Sequence, residues 1–103
     1  MGKVYVVQQS PKKDISDAKR YGDIVYLLET PNRQAALDPH KFVSSISSRL
    51  VDYNPTEDYI LPIGDPIAIG VVTAIAAEFG HSKVNLLYWD RRIEKYSPVL
   101  FCL

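Results

Sequence analysis

Gly64, Asp65 and Pro66 join an apolar, strand-like run to an apolar, helix-like one in DYILPIGDPIAIGVV, residues 58–72. In open α/β sheets such junctions lie at the carboxyl ends of strands, where ligands commonly bind, and the free N–H groups of a helix start attract phosphate. The residue types present here argue for something else. Asp65 brings its own negative charge to that place, and GDPIAIG has neither the GxGxxG nor the GxxxxGK[ST] spacing and no basic residue. An aspartate followed by proline starts a helix: the carboxylate accepts hydrogen bonds from the first free N–H groups, a cap that contributes about 1 kcal/mol. Proline at the next position has no N–H to leave unpaired, and its φ is already helical. The same pair recurs at Asp38-Pro39, so helix initiation is the preferred reading of both. A ligand at Gly64, Asp65 and Pro66 is the alternative. A hydroxyl-rich or cationic group would suit Asp65 better than a phosphate without a divalent metal.

The second place is YWDRRIEKY, residues 88–96, where Trp89, Asp90, Arg91, Arg92 and Tyr96 surround one expected turn. Arginine stacks on aromatic rings and pairs bidentately with carboxylate or phosphate, so the mixture suits an interaction surface for protein or nucleic acid. The plainer reading sends Tyr88 and Trp89 to opposite faces of a strand, one of them into the core. Asp90 and Glu94 then pair with Arg91, Arg92 or Lys95, exposed pairs contributing roughly 0 to 1 kcal/mol each. His40, His81 and Cys102 could form a nucleophile and base only by tertiary proximity, and the serines at 44, 45, 47 and 48 lack the GxSxG elbow. No catalytic residue, metal ligand or cofactor is expected.

Composition narrows the classes further. The 103 residues, 47% of them apolar, suit one domain over 1–103 that buries its own core without disulfide or metal staples. A single cysteine suits a reducing compartment, and a cytoplasmic location is expected. Twelve basic residues balance twelve acidic ones, which leaves no net field to draw the chain to nucleic acid or an anionic membrane. The clusters Lys12-Lys13, Lys19-Arg20 and Arg91-Arg92 with Lys95 are the remaining candidates for contacting polyanions, but each is interleaved with carboxylates, which favours a solvated face. The longest apolar run, Ile67 to Ala77, is about half of the roughly 20 residues that span a membrane. Zero net charge permits self-association.

The elements that must position these residues follow from local pattern. KVYVVQ, residues 3–8, and DIVYLLE, residues 23–29, are β-branched and aromatic and read as strands, the first of them central. DISDAKRYG between them predicts one or two turns of helix, with Asp14 or Ser16 as cap and Gly22 ending it in the left-handed conformation. TPNRQAALDPH, residues 30–40, reads as the chain's most mobile loop. Phe42, Val43, Ile46, Leu50 and Tyr53 recur at helical spacing and predict a helix over 39–53 with one buried face. DYILPIG predicts a third strand. Residues 66–79 predict a helix apolar nearly all round, buried on several sides. Its small residues allow close approach to the sheet and to the first helix or another subunit. Strands over 84–89 and 95–103 form a closing hairpin, with Pro98 placing the last one at a sheet edge. The order β-(short α)-β-α-β-α-β-β predicts an α/β fold: a small Rossmann-like sandwich with a mixed, mostly parallel sheet of about five strands, two main helices and a C-terminal hairpin.

AKRYGDIVYLL, DYILPIGDPIAIGVVTAIAA, LLYWDR and YSPV together resemble a set of small proteins encoded by tailed bacteriophages, in which AxxYG precedes a strand, a DYLL strand leads to GDP, and LLxWDR is followed by Y and PV. The match runs from about Ala18 onwards and leaves the first strand unplaced. The resemblance implies a phage gene product working inside an infected bacterium, and it brings no activity, cofactor or catalytic residue to carry over. The expectation is a non-enzymatic accessory protein that binds a copy of itself or a protein partner, with no role for membrane and little for nucleic acid. A small-molecule or nucleotide binder at the Gly64-Asp65-Pro66 turn, with Arg91, Arg92 or Tyr96 assisting, is the second expectation.

Overall fold

The computed structural model describes residues 2–28 and 38–103. Lys3–Gln8 forms β1, Ser16–Tyr21 a 3-10 helix, Asp23–Leu28 β2, Pro39–Leu50 α1, Tyr59–Leu61 β3, Pro66–Phe79 α2, Lys83–Asp90 β4 and Lys95–Cys102 β5. The strands form a five-stranded sheet in the order β2-β1-β3-β4-β5. Pairing is parallel from β2 through β4 and antiparallel between β4 and β5. This is the α/β architecture expected, a mixed and mostly parallel sheet with two main helices and a terminal hairpin. Glu29, expected to end β2, and residues 30–37 of the expected loop lie outside the described residues.

β1 is central, with β2 on one side and β3 on the other, and its residues from Val4 to Gln8 are all buried. Strand alternation divides them. Tyr5 and Val7 join Phe42, Ile46 and Leu50 of α1 and Ala68, Val72 and Ile75 of α2 in one core cluster. Val4 and Val6 join Ala18, Leu61, Leu87 and Tyr96 in a second cluster on the other face. The topology explains the unequal layers. Crossovers between parallel strands are right-handed, so the connection that steps from β1 to β2 passes over one face. Those from β2 to β3 and from β3 to β4 step the other way and carry α1 and α2 over the opposite face. One face therefore receives both long helices and the other only the 3-10 segment.

Both Asp-Pro pairs start helices. Asp38 accepts from the Lys41 N–H at 3.1 Å and Asp65 from the Ile67 N–H at 3.4 Å, each with proline at the first helical position. Other elements differ from expectation for local reasons. The segment after Asp14 is 3-10, closed by the Ala18 N–H on the Ile15 carbonyl at 2.9 Å, and Gly22 ends it at φ 155° rather than in the left-handed helical region. β3 keeps only Tyr59–Leu61, since Pro62 has no N–H to continue the ladder. α1 stops at Leu50, before Tyr53, yet Tyr53 stays buried and its hydroxyl accepts the Asn85 N–H at 3.0 Å. α2 buries Ala68, Val72, Ile75 and Ala76, while Ile67, Gly70, Ala74 and Glu78 face outward. It is less enclosed than its composition predicts.

Candidate functional site

The strand order reverses between β1 and β3, and at such a point the carboxyl ends of the strands diverge and leave room for a ligand. Here a side chain occupies that room. Gln8, buried at the end of β1, donates its N–H to the Ile63 carbonyl at 3.0 Å and accepts the Asp65 N–H on Oε1 at 2.9 Å. Gly64 lies against it at φ 130°, and a Cβ there would stand 2.5 Å from the Gln8 Cβ. The turn around Gly64, Asp65 and Pro66 is thus joined to β1 through Gln8, and the Asp65 carboxylate faces its own helix.

Beside this turn, on the face without α1 and α2, a cleft of about 420 Å³ opens at the ends of β3 and β4. Leu61, Pro62, Ile63 and Leu87 give it apolar walls, Tyr88, Trp89 and Tyr96 line it with aromatic residues, and Lys13, Asp14 and Arg91 supply charge. Trp89 and Tyr96 are direct cross-strand partners, and their rings meet nearly edge-on with centroids 5.0 Å apart. Tyr96 is buried, whereas Trp89 remains 44% exposed and Tyr88 45%. Neither residue of the Tyr88-Trp89 pair enters the core, contrary to the plainer expectation for the hairpin.

The hairpin is fixed to the second face by a polar clamp. The Tyr96 N–H donates to Asp17 Oδ2 at 2.7 Å, and the Tyr96 carbonyl accepts from Arg20 Nη2 and from the Tyr21 hydroxyl, both at 2.8 Å. The Arg20 guanidinium also lies 4.4 Å from the centre of the Tyr21 ring and pairs with Asp17 at 3.1 Å. The Tyr96 amide, followed by the Arg20 partner, holds the Asp17 carboxyl below the ordinary aspartate range. Burial pushes the Tyr96 phenol upward, helped by the negative charges of Asp14 and Asp17.

Of the hairpin residues singled out in the sequence, Trp89, Arg91 and Tyr96 meet in the cleft. Asp90 and Arg92 do not line it. They pair with each other across the turn through a two-pronged contact at 3.2 and 3.1 Å, and Asp90 also accepts the Arg92 N–H at 3.0 Å. That arginine lowers the Asp90 pKa and has its own raised in return. Gly64, Asp65 and Pro66 follow directly on Ile63 but do not line the cleft. Lys13, read in the sequence as part of a solvated cluster, and Asp14, read there as a helix cap, also line the cleft. Their signal was position: a residue pair soon after the end of a parallel strand falls at the carboxyl edge of the sheet.

Among the described residues no group of three or more His, Cys, Asp or Glu could hold a metal ion, and no helix is long and apolar enough to cross a membrane. No curated protein and no solved structure gives a match to the chain. A family model does: over residues 2–103 the chain belongs to the family of phage Pam3 gp32-like proteins.

Proposed function

We propose that this phage protein works in the host cytoplasm as a non-enzymatic binding module, and that it pairs with a second copy of itself along the outer edge of β5. The observation that carries this reading is the parity of β5. The Tyr96 N–H and carbonyl both bond away from β4. Residues two apart along a strand point their backbone groups the same way, so Pro98, Leu100 and Cys102 also turn outward. Pro98 has no N–H to offer. Leu100 and Cys102 do, and no hydrogen bond among the described residues uses those groups outside the ladder.

The side chains beside this open backbone are apolar. Leu100 is 51% exposed, Phe101 47% and Leu103 82%. Ser97 to Leu103 contains no charged side chain to guard the edge against pairing, and its one guard, Pro98, lies before Leu100 and Cys102. A second copy fits with Phe101 opposite its own counterpart and Leu100 opposite Cys102. That antiparallel register supplies four N–H···O=C bonds, avoids Pro98 and opposes no like charges, in a chain whose net charge is zero.

Light scattering during size-exclusion chromatography tests this reading. Wild-type protein is expected to elute as a dimer, and Leu100→Pro as a folded monomer, because the N–H that proline removes points away from β4. Under oxidation Leu100→Cys is expected to form a disulfide-linked dimer through Cys102. A monomer at about 100 μM, weaker than a dissociation energy of roughly 5 kcal/mol allows, would rule the pairing out.

The alternative, a ligand at Gly64, Asp65 and Pro66, has less support. Gln8 already accepts the Asp65 N–H, and the Asp65 carboxylate caps the helix that would otherwise attract an anion.

A further inference from the structure

The cleft at the ends of β3 and β4 is distinct from the β5 edge and does not depend on self-pairing. We infer that it binds a small ligand combining a planar aromatic ring with an anionic group, the chemistry of a nucleoside monophosphate. The walls supply a ring site. Trp89 presents a half-exposed indole that Tyr96 holds from one side, and Leu61, Ile63 and Leu87 stand beside it. An indole whose orientation is set by packing gives a flat ligand a stacking surface with little ordering cost, and base-on-aromatic stacking contributes about 1 to 3 kcal/mol.

The rim supplies charge. Lys13 and Arg91 both reach the cleft, and among the described residues neither side chain makes an ion pair or hydrogen bond. The one carboxylate in the lining, Asp14, already accepts from the Ser16 N–H and hydroxyl. Two unpaired cations against that occupied carboxylate leave the mouth net positive on a chain of zero net charge. An arginine fork meets two phosphate oxygens at once, and a lysine adds a point charge. The neighbouring arginine is not available, since Arg92 is held by Asp90.

Size and place agree with this chemistry. The volume of about 420 Å³ lies inside the roughly 300–1,000 Å³ usual for small-molecule sites. The cleft sits at carboxyl ends of parallel strands beside the reversal of strand order, where open sheets bind ligands. The turn at Gly64 is closed by Gln8, so the opening lies on the other side of Ile63.

Trp89 is the protein's one tryptophan, so its fluorescence reports on the cleft alone. Titration of the full chain with AMP, GMP, CMP and TMP is expected to quench that emission saturably, with calorimetry giving the same dissociation constant. Adenosine and inorganic phosphate, each carrying half of the chemistry, should bind at least about tenfold more weakly, a difference of roughly 1.4 kcal/mol. Arg91→Ala and Lys13→Ala should each weaken the nucleotide about fivefold or more at an unchanged melting temperature, because neither side chain has a structural partner. The same titration on Leu100→Pro separates this result from the fate of the dimer. Absence of saturable quenching up to about 10 mM nucleotide, adenosine binding as tightly as AMP, or full affinity in Arg91→Ala would each overturn the inference.

Discussion

Asp58 shows how much one buried carboxylate can organise. It is 6% exposed, and its two oxygens accept the Lys3 and Asn54 N–H groups, each at 2.8 Å. One side chain thereby fastens the start of β1 to the turn that feeds β3. Hydrogen bonds to a charged acceptor contribute about 1.5 to 3 kcal/mol each, and a buried donor left without its acceptor costs about 1 to 3 kcal/mol. Asp58→Ala is therefore expected to lower stability by about 3 kcal/mol, read as a fall in the urea midpoint at unchanged slope. Asp58→Asn keeps one acceptor oxygen and should lose less. Equal stability of wild type and Asp58→Ala would mean that water replaces both bonds at no cost. Sequence could place Asp58 only as the first residue of DYILPIG. Its partners lie 4 and 55 residues away, and a bond to the Lys3 amide leaves no local pattern to read.

At the scale of elements, the features legible in the sequence are those decided by neighbouring residues. The Asp-Pro pairs, the three- and four-residue spacing of Phe42, Ile46 and Leu50, and the β-branched runs each act within a few positions, and the corresponding helices and strands form there, with α1 and β3 shorter than expected. Misjudged features depend on distant partners. The turn at Ser16–Tyr21 takes 3-10 form in a segment that must also deliver Asp17, Arg20 and Tyr21 to Tyr96. Composition predicts α2 buried on several sides, but only the packing of the other layers determines which of its sides stays open. Two glycines around that helix give opposite expectations. A Cβ at Gly70 would meet no atom within 4 Å, so Gly70→Ala should stabilise the protein by about 0.5 to 1 kcal/mol through helix propensity. A Cβ at Gly64 would press on Gln8 at a φ of 130°, so Gly64→Ala should destabilise it by about 1 to 3 kcal/mol. Thermal melts of the two variants decide the matter: both moving in one direction would contradict the contrast.

For the molecule as a whole, the sheet's two faces are held by different physics, and pH should separate them. α1 and α2 cover one face with an apolar cluster. The other is closed by a thinner cluster and by polar contacts among the 3-10 segment, its approach and the hairpin. Two carboxyls with lowered pKa lie in this second layer, Asp14 through Ser16 and Asp17 through the Tyr96 amide, while that of Asp90, lowered by Arg92, lies in the hairpin turn. Only Asp17 joins distant parts of the chain. Its pKa is lower folded than unfolded, so between the two values the unfolded chain binds more protons, and stability there rises with pH. The contribution is complete above the ordinary aspartate value of about 3.9 and is lost as pH falls through the folded value. Acid should therefore release the hairpin from the 3-10 segment while the helical face still holds. Trp89 sits at that junction as the one tryptophan, so its emission is expected to shift at a higher pH than the helical circular dichroism declines. Asp17→Asn cannot gain that charge at any pH, so it should flatten the acid dependence and weaken the clamp already at neutral pH. Coincident transitions in the two signals, with an unchanged acid slope in Asp17→Asn, would mean that both faces melt as one unit and that the clamp carries no separate share of the stability.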